Sequence, residues 1–110
     1  MGIRSLQEPT FLILTALAAG PQHGYGIMTD AEAISGGRVR LRAGTLYAAL
    51  DRLRANGLVA ADREEIVDGR LRRYYRITDE GVERLAAEVT HLRTNTAVAA
   101  QRLGLAAGTA

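Results

Sequence analysis

Arg42-Ala43-Gly44-Thr45-Leu46-Tyr47-Ala48-Ala49-Leu50-Asp51-Arg52-Leu53-Arg54-Ala55-Asn56-Gly57-Leu58, residues 42–58, decides the fold. Leu46, Ala49, Leu50 and Leu53 recur at steps of three and four, the spacing of one apolar helix face. This predicts a helix over 43–56. Gly57 stands just past the last apolar turn, where a left-handed C-terminal cap belongs. The other face carries Gly44, Thr45, Ala48, Asp51, Arg52 and Ala55, with Tyr47 and Arg54 at one border. Small side chains, a hydroxyl and a guanidinium on that face let the helix come close to a large anionic surface.

Upstream, residues 8–19 read as a helix with Pro9 in its first turn, where a missing N–H costs nothing. Phe11, Leu12, Ile13, Leu14, Ala16, Leu17 and Ala18 leave it little polar face, so it needs cover on more than one side. Its own core supplies one cover, and a second subunit is the candidate for the other. Gly20 to Gly24 read as a loop, and a second helix over about 24–34 has Ile27, Ala31 and Ile34 as its inner stripe, with Tyr25 packed near its start. Arg38-Val39-Arg40-Leu41-Arg42 alternates charged and apolar residues, which predicts a short strand or an extended link.

Downstream, Leu58–Val67 and Leu71–Ile77 flank Asp68-Gly69, a strong hairpin signal. Thr78 fits a helix N-cap, with Asp79 and Glu80 in the positively polarised first turn. In the last helix, about 79–103, Leu85, Val89, Leu92, Thr96, Ala99 and Leu103 form a heptad stripe that needs a partner, most simply the same helix of a second chain. The expected fold is mainly α with a small β-hairpin (α+β), a winged helix-turn-helix with a long C-terminal dimerisation helix. The expected division is 1–78 for the winged helix-turn-helix, 79–103 for the dimerisation helix and 104–110 for a frayed tail.

The chain's 110 residues suffice for one small domain. Its net charge is +2, but residues 38–76 hold ten arginines against five acids, while the flanking segments are slightly negative. This concentration favours an anionic polymer as partner. There is no Lys, so the arginines reflect either guanidinium chemistry or genome composition. With no Cys and two distant histidines, disulfide, thiol and transition-metal chemistry is not expected, and no cofactor is indicated. The apolar run from Phe11 to Ala19 has a poor positive flank for a secretion signal and is too short to span a bilayer, so a cytoplasmic protein without membrane attachment is the default. The chain lacks a phosphate-cradling glycine loop, a nucleophile elbow and clustered His with carboxylates, so an enzyme is the weakest reading.

A small-faced helix beside a basic hairpin points to double-stranded DNA. Arg42, Thr45 and the free N–H groups opening the central helix suit phosphates, and Gly44 and Ala48 allow close approach. Tyr47 either gives its hydroxyl to a phosphate or packs at the helix edge. Arg52 either pairs with a guanine edge or is a solvated charge. Arg70, Arg72 and Arg73 ride on the hairpin against backbone or minor groove; alternatively Arg70 and Arg73 only solubilise the hairpin, and Arg72 and Arg76 pair across strands with acids such as Asp62 and Glu64. Asp51 opposes an anion locally, or orients Arg52 or Arg54. His23 reads as a loop or capping residue. A winged-helix protein-interaction module without specific DNA binding is the alternative.

His23-Gly24-Tyr25, Gly44-Thr45-Leu46-Tyr47 with Leu50, Leu53, Gly57 and Leu58, and Arg73-Tyr74-Tyr75-Arg76-Ile77-Thr78 with Glu80-Gly81 together resemble the PadR family of transcriptional regulators over about residues 8–84. The single last helix is similar to its short subfamily. The resemblance implies a homodimeric repressor on inverted-repeat operators that often responds to a small aromatic compound. Arg42-Ala43 replaces the Ser-Pro common in that family, and Ala48 a basic or bulky residue, so operator sequence does not carry over. The expected dimer seam is Phe11, Leu14, Leu85, Val89, Leu92, Thr96, Ala99 and Leu103. A small-molecule effector there would meet Phe11, Ile13, Leu14, Val89 and Leu92.

Overall fold

Leu46, Ala49, Leu50 and Leu53, the face read from spacing, are buried against Ile13, Leu14, Leu17 and Ile27 in one core. The computed structural model describes residues 5–105. Its elements run α1 (Glu8–Ala18), β1 (Gln22–His23), α2 (Gly24–Ile34), α3 (Ala43–Ala55), β2 (Val59–Val67), β3 (Arg70–Ile77) and α4 (Asp79–Leu103). α1 is the central rod of the domain, packed by α2, β3 and α4. That corrects the expectation that its second side waits for another subunit. Leu12, Ile13, Leu14, Ala16 and Leu17 are all buried within the single chain.

Local chemistry sets the element ends. After Asn56, Gly57 takes φ 76°, and the N–H groups of Leu58 and Gly57 donate to the carbonyls of Leu53 and Arg54 at 2.9 and 3.0 Å. This is a Schellman closure of α3, with Leu58 folded onto the core. Asp68 (φ 52°) and Gly69 (φ 77°) both lie in the left-handed region, which a tight primed turn between twisted strands requires. The Thr78 hydroxyl caps α4, accepting from Gly81 N–H at 3.0 Å and donating to the Gly57 carbonyl at 2.6 Å. A Cβ at Gly81 would collide with the Leu58 carbonyl, so only glycine lets α4 leave the sheet so closely.

The sheet has three antiparallel strands in the order β1-β3-β2. The short strand is thus not Arg38–Arg42 but Gln22–His23, within the expected loop, pairing Gln22 with Tyr75 and His23 with Tyr74. Residues 38–42 form no strand; the link is tied back to α2 and α1 instead. The Ser35 hydroxyl accepts from Val39 N–H at 3.0 Å, Arg38 binds Glu8 and Arg40 lies by Glu32. Leu41 turns inward onto the core, which is what the alternation recorded.

On α2, Ile27 and Ala31 are buried, but Ile34 is exposed at the helix end and Tyr25 is 72% exposed, so neither packs as expected. α4, about 37 Å long, meets the domain only along its first half. Leu85 packs on the chain's own core, whereas Leu92, Thr96, Ala99 and Leu103 are exposed. The heptad stripe is therefore divided, and Leu85 is a core residue rather than a seam residue. Gly104 closes α4 at φ 74°, and residues 106–110 of the expected tail lie outside the described residues. Among the described residues, no helix is long and apolar enough to cross a membrane.

Candidate nucleic-acid interface

The outer crest of α3 is small. Gly44, Ala48, Asp51 and Ala55 are all exposed, and a Cβ at Gly44 would meet nothing within 4 Å. Thr45 and Arg52 flank the crest on one side, Tyr47 and Arg54 on the other. No side chain caps α3 at Arg42, so its opening N–H groups point outward with the positive end of the helix dipole. Arg52 borders a groove with Leu6, Gln7, Asn56 and Arg84, on the side away from the wing formed by β2 and β3. Tyr47 borders a second groove, lined also by His23, Tyr25, Arg70 and Arg72, that runs between the α2 start and the wing tip.

Two of the motifs meet in that second groove. The Tyr47 ring lies against Gly24 so closely that a Cβ there would collide with the phenol Oη and Cζ. The glycine of His23-Gly24-Tyr25 is therefore the seat of the tyrosine of Gly44-Thr45-Leu46-Tyr47. With Tyr47 still half exposed, its packing and its hydroxyl's access to solvent coexist.

The wing is held by Tyr74. Its hydroxyl donates to Glu65 Oε1 at 2.7 Å, its ring meets the edge of His23 with centroids 5.3 Å apart, and the Arg63 guanidinium lies 3.9 Å over it. An extra residue on β2 between Ala61 and Glu64 shifts the register and bends the strand there. His23 Nδ1 accepts from Gly26 N–H at 3.3 Å, capping α2. Its pKa is lowered by desolvation first and the Arg72 charge second, with Glu65 opposing. Burial, then the neighbouring Tyr47, pushes the Tyr75 phenol up, with Asp51 adding to the rise and Arg73 and Arg54 opposing it.

The arginines between residues 38 and 76 fall into two sets. Arg38, Arg40, Arg63, Arg73 and Arg76 each lie within 4 Å of a carboxylate. Among the described residues, Arg42, Arg52, Arg54, Arg70 and Arg72 form no ion pair, and neither does Asp51. The unpaired set edges the α3 crest and the wing. Arg73, expected beside them, is held by Glu64 at 3.0 Å. Tyr25 and Arg54, outside the expected set of DNA contacts, stand on the same side of the crest as Tyr47. Arg54 follows Tyr47 by seven residues and so shares its flank, a signal that was legible. Tyr25 stands in the His23-Gly24-Tyr25 motif but was expected to pack inward, as an aromatic beside a helix start normally does.

The seam candidates are dispersed. Leu14, expected in the seam and beside the effector, and Ile13, expected beside the effector, are 0% exposed within the chain's own core, which corrects those assignments. Phe11 and Val89 are half-buried, and Leu92, Thr96, Ala99 and Leu103 lie open. No group of three or more His, Cys, Asp or Glu side chains able to hold a metal ion occurs among the described residues.

Comparison with known proteins bears on this geometry. Residues 13–87 match the transcriptional regulator PadR-like family. The transcriptional regulator Rv3488 of Mycobacterium tuberculosis is 41% identical over 68 residues, covering 53% of this chain. The chain spans less than two thirds of the length of the curated relatives it matches, 63% in the case of Rv3488. A PadR family transcription regulator of Clostridium difficile superposes with a TM-score of 0.74 at 26% identity, covering 88% of this chain and 99% of its own. Bacillus subtilis PadR, solved in complex with operator DNA, shares the fold with a TM-score of 0.67 at 23% identity, over 76% of this chain and 47% of its own.

Proposed function

The chain belongs to the PadR-like family of transcriptional regulators, and from that premise we propose that it binds operator DNA as a homodimeric repressor. The family is one of regulators rather than enzymes. The observation that carries the DNA reading is the sorting of the arginines. Arg38 and Arg40 before α3, and Arg63, Arg73 and Arg76 on the wing strands, lie beside carboxylates, whereas among the described residues Arg42, Arg52 and Arg54 around the α3 crest and Arg70 and Arg72 toward the wing tip form no ion pair.

In this reading the α3 crest enters the major groove. Arg42, Thr45, Tyr47 and the α3 N-terminus take phosphates, Arg52 takes a base edge, and Gly44 and Ala48 allow the approach. Residues 1–78 hold the DNA and 79–103 hold the partner. The exposed distal half of α4, with Leu92, Thr96, Ala99 and Leu103, pairs with its copy, presenting two α3 helices roughly 34–36 Å apart to a two-fold symmetric site. Release by a small aromatic effector rests on the family resemblance, and Phe11, Val89 and Leu92, which are not closed off in the core, would be the residues to meet such a ligand.

A salt titration on duplexes selected from a random pool tests the reading. We expect a symmetric consensus and affinity falling with a log–log slope of about −0.9 per neutralised phosphate. No retention of any duplex at low salt, or a flat dependence, would overturn it.

A further inference from the structure

Ile66 and Leu71 are the two large apolar side chains at the end of the wing. They are directly opposed in the β2–β3 register and so share one face of the hairpin. They are 75% and 57% exposed. An open apolar pair on a strand ribbon is a liability in a free chain, and neither side chain is needed for the core, which closes further back at Tyr75 and Val59. The turn between their strands needs Asp68 and Gly69 for its left-handed conformation, so the acid at the tip has a backbone reason. The opposite face of the same ribbon carries Arg70 and Arg72, neither in an ion pair among the described residues. Leu71 also borders the groove that Tyr47, Arg70 and Arg72 line, so the apolar pair is continuous with the candidate interface.

We propose that Ile66 and Leu71 are an apolar footing by which the wing seats on the deoxyribose walls of the DNA minor groove, while Arg70 and Arg72 reach the phosphates from the other face. This deepens the DNA-binding reading and rests on it. Sugar C–H surface is apolar and lies between phosphate lips, so a hairpin end with an apolar pair on one face and two arginines on the other, Glu65 opposite Arg72 included, matches it chemically. The footing adds affinity by removing apolar area from water. It releases no counterions and reads no base.

The double variant Ile66→Thr with Leu71→Thr keeps strand propensity at both positions while replacing the apolar ends. It is measured beside Arg70→Ala on a selected duplex and on a random one. The double variant is expected to bind both duplexes at least about tenfold more weakly, with an unchanged log–log salt slope and an unchanged melting temperature. Arg70→Ala is expected to flatten the slope by about 0.9. Parental affinity in the double variant overturns the footing, as does a loss accompanied by dissociation of the parent's dimer in sedimentation, which would assign the pair to a contact between copies. Failure of the parent itself to bind duplex at low salt overturns the DNA-binding reading instead, which separates the two.

Discussion

Gly24 and Tyr47 come from separate motifs and meet as one joint, with the phenol seated where a methyl would stand. Gly24→Ala is expected to cost about 1–3 kcal/mol through overpacking, read by denaturant titration. Tyr47→Phe, which removes the colliding hydroxyl, should recover part of that loss in the double variant, a coupling that independent sites would lack. His23 gives a pH prediction. Its neutral ring accepts the Gly26 N–H, and desolvation with Arg72 holds its pKa below the ordinary value of 6.5. The unfolded chain therefore takes up this proton at a higher pH than the folded chain. Stability present above pH 6.5 is lost as pH falls from there through the folded value. His23→Asn, which caps without titrating, should flatten the fall in denaturation midpoint relative to the parent. An identical slope in both proteins would remove His23 from the account.

Among the elements, α3 and the hairpin were the most legible, because periodicity, cap and turn chemistry agree there. Leu46, Ala49, Leu50 and Leu53 are buried, and Asp68-Gly69 makes the turn. The unpaired state of Arg42, Arg52, Arg70 and Arg72 was not legible, since it depends on which acids the fold brings near. β1 was invisible: two residues, Gln22 and His23, cannot show alternation, and their pairing with β3 is a tertiary event. The link at 38–42 showed the opposite error, alternation without a ladder, with Val39 tied back to Ser35 instead. Thr78 joins two elements, capping α4 while holding the Gly57 carbonyl that closes α3. Thr78→Ala is expected to cost about 1–2 kcal/mol and Thr78→Ser much less, by thermal unfolding. Equal losses would point to the methyl rather than the hydroxyl.

For the whole molecule, the radius of gyration is 15.8 Å and the extents are 55 × 33 × 21 Å, against about 13 Å expected for a compact chain of a hundred residues. The excess is the distal half of α4. Near its root, Glu88 is buried and its Oε1 accepts from Leu6 N–H at 3.3 Å and Arg84 at 3.4 Å, pinning the helix to the segment before α1. Two substitutions on one stripe should then behave differently. Leu92→Asp is expected to leave the monomer folded and abolish both dimer and operator binding, by sedimentation and duplex titration. Leu85→Ala is expected to lower monomer stability by about 1–2 kcal/mol, below the range for a fully enclosed leucine, while self-association persists. A dimeric Leu92→Asp protein would refute the assignment of the distal helix to the partner.

Because α4 is continuous, its distal half inherits an angular phase from its root. One alanine inserted after Thr90 would turn the open leucines by about 100° relative to the domain. Seven inserted residues would come back within about 20° of the starting phase and lengthen the arm by roughly 10 Å. A ladder of such insertions should make operator recognition rise and fall with the helical repeat, so that this one rod acts as the gauge matching two reading heads to the pitch of the duplex.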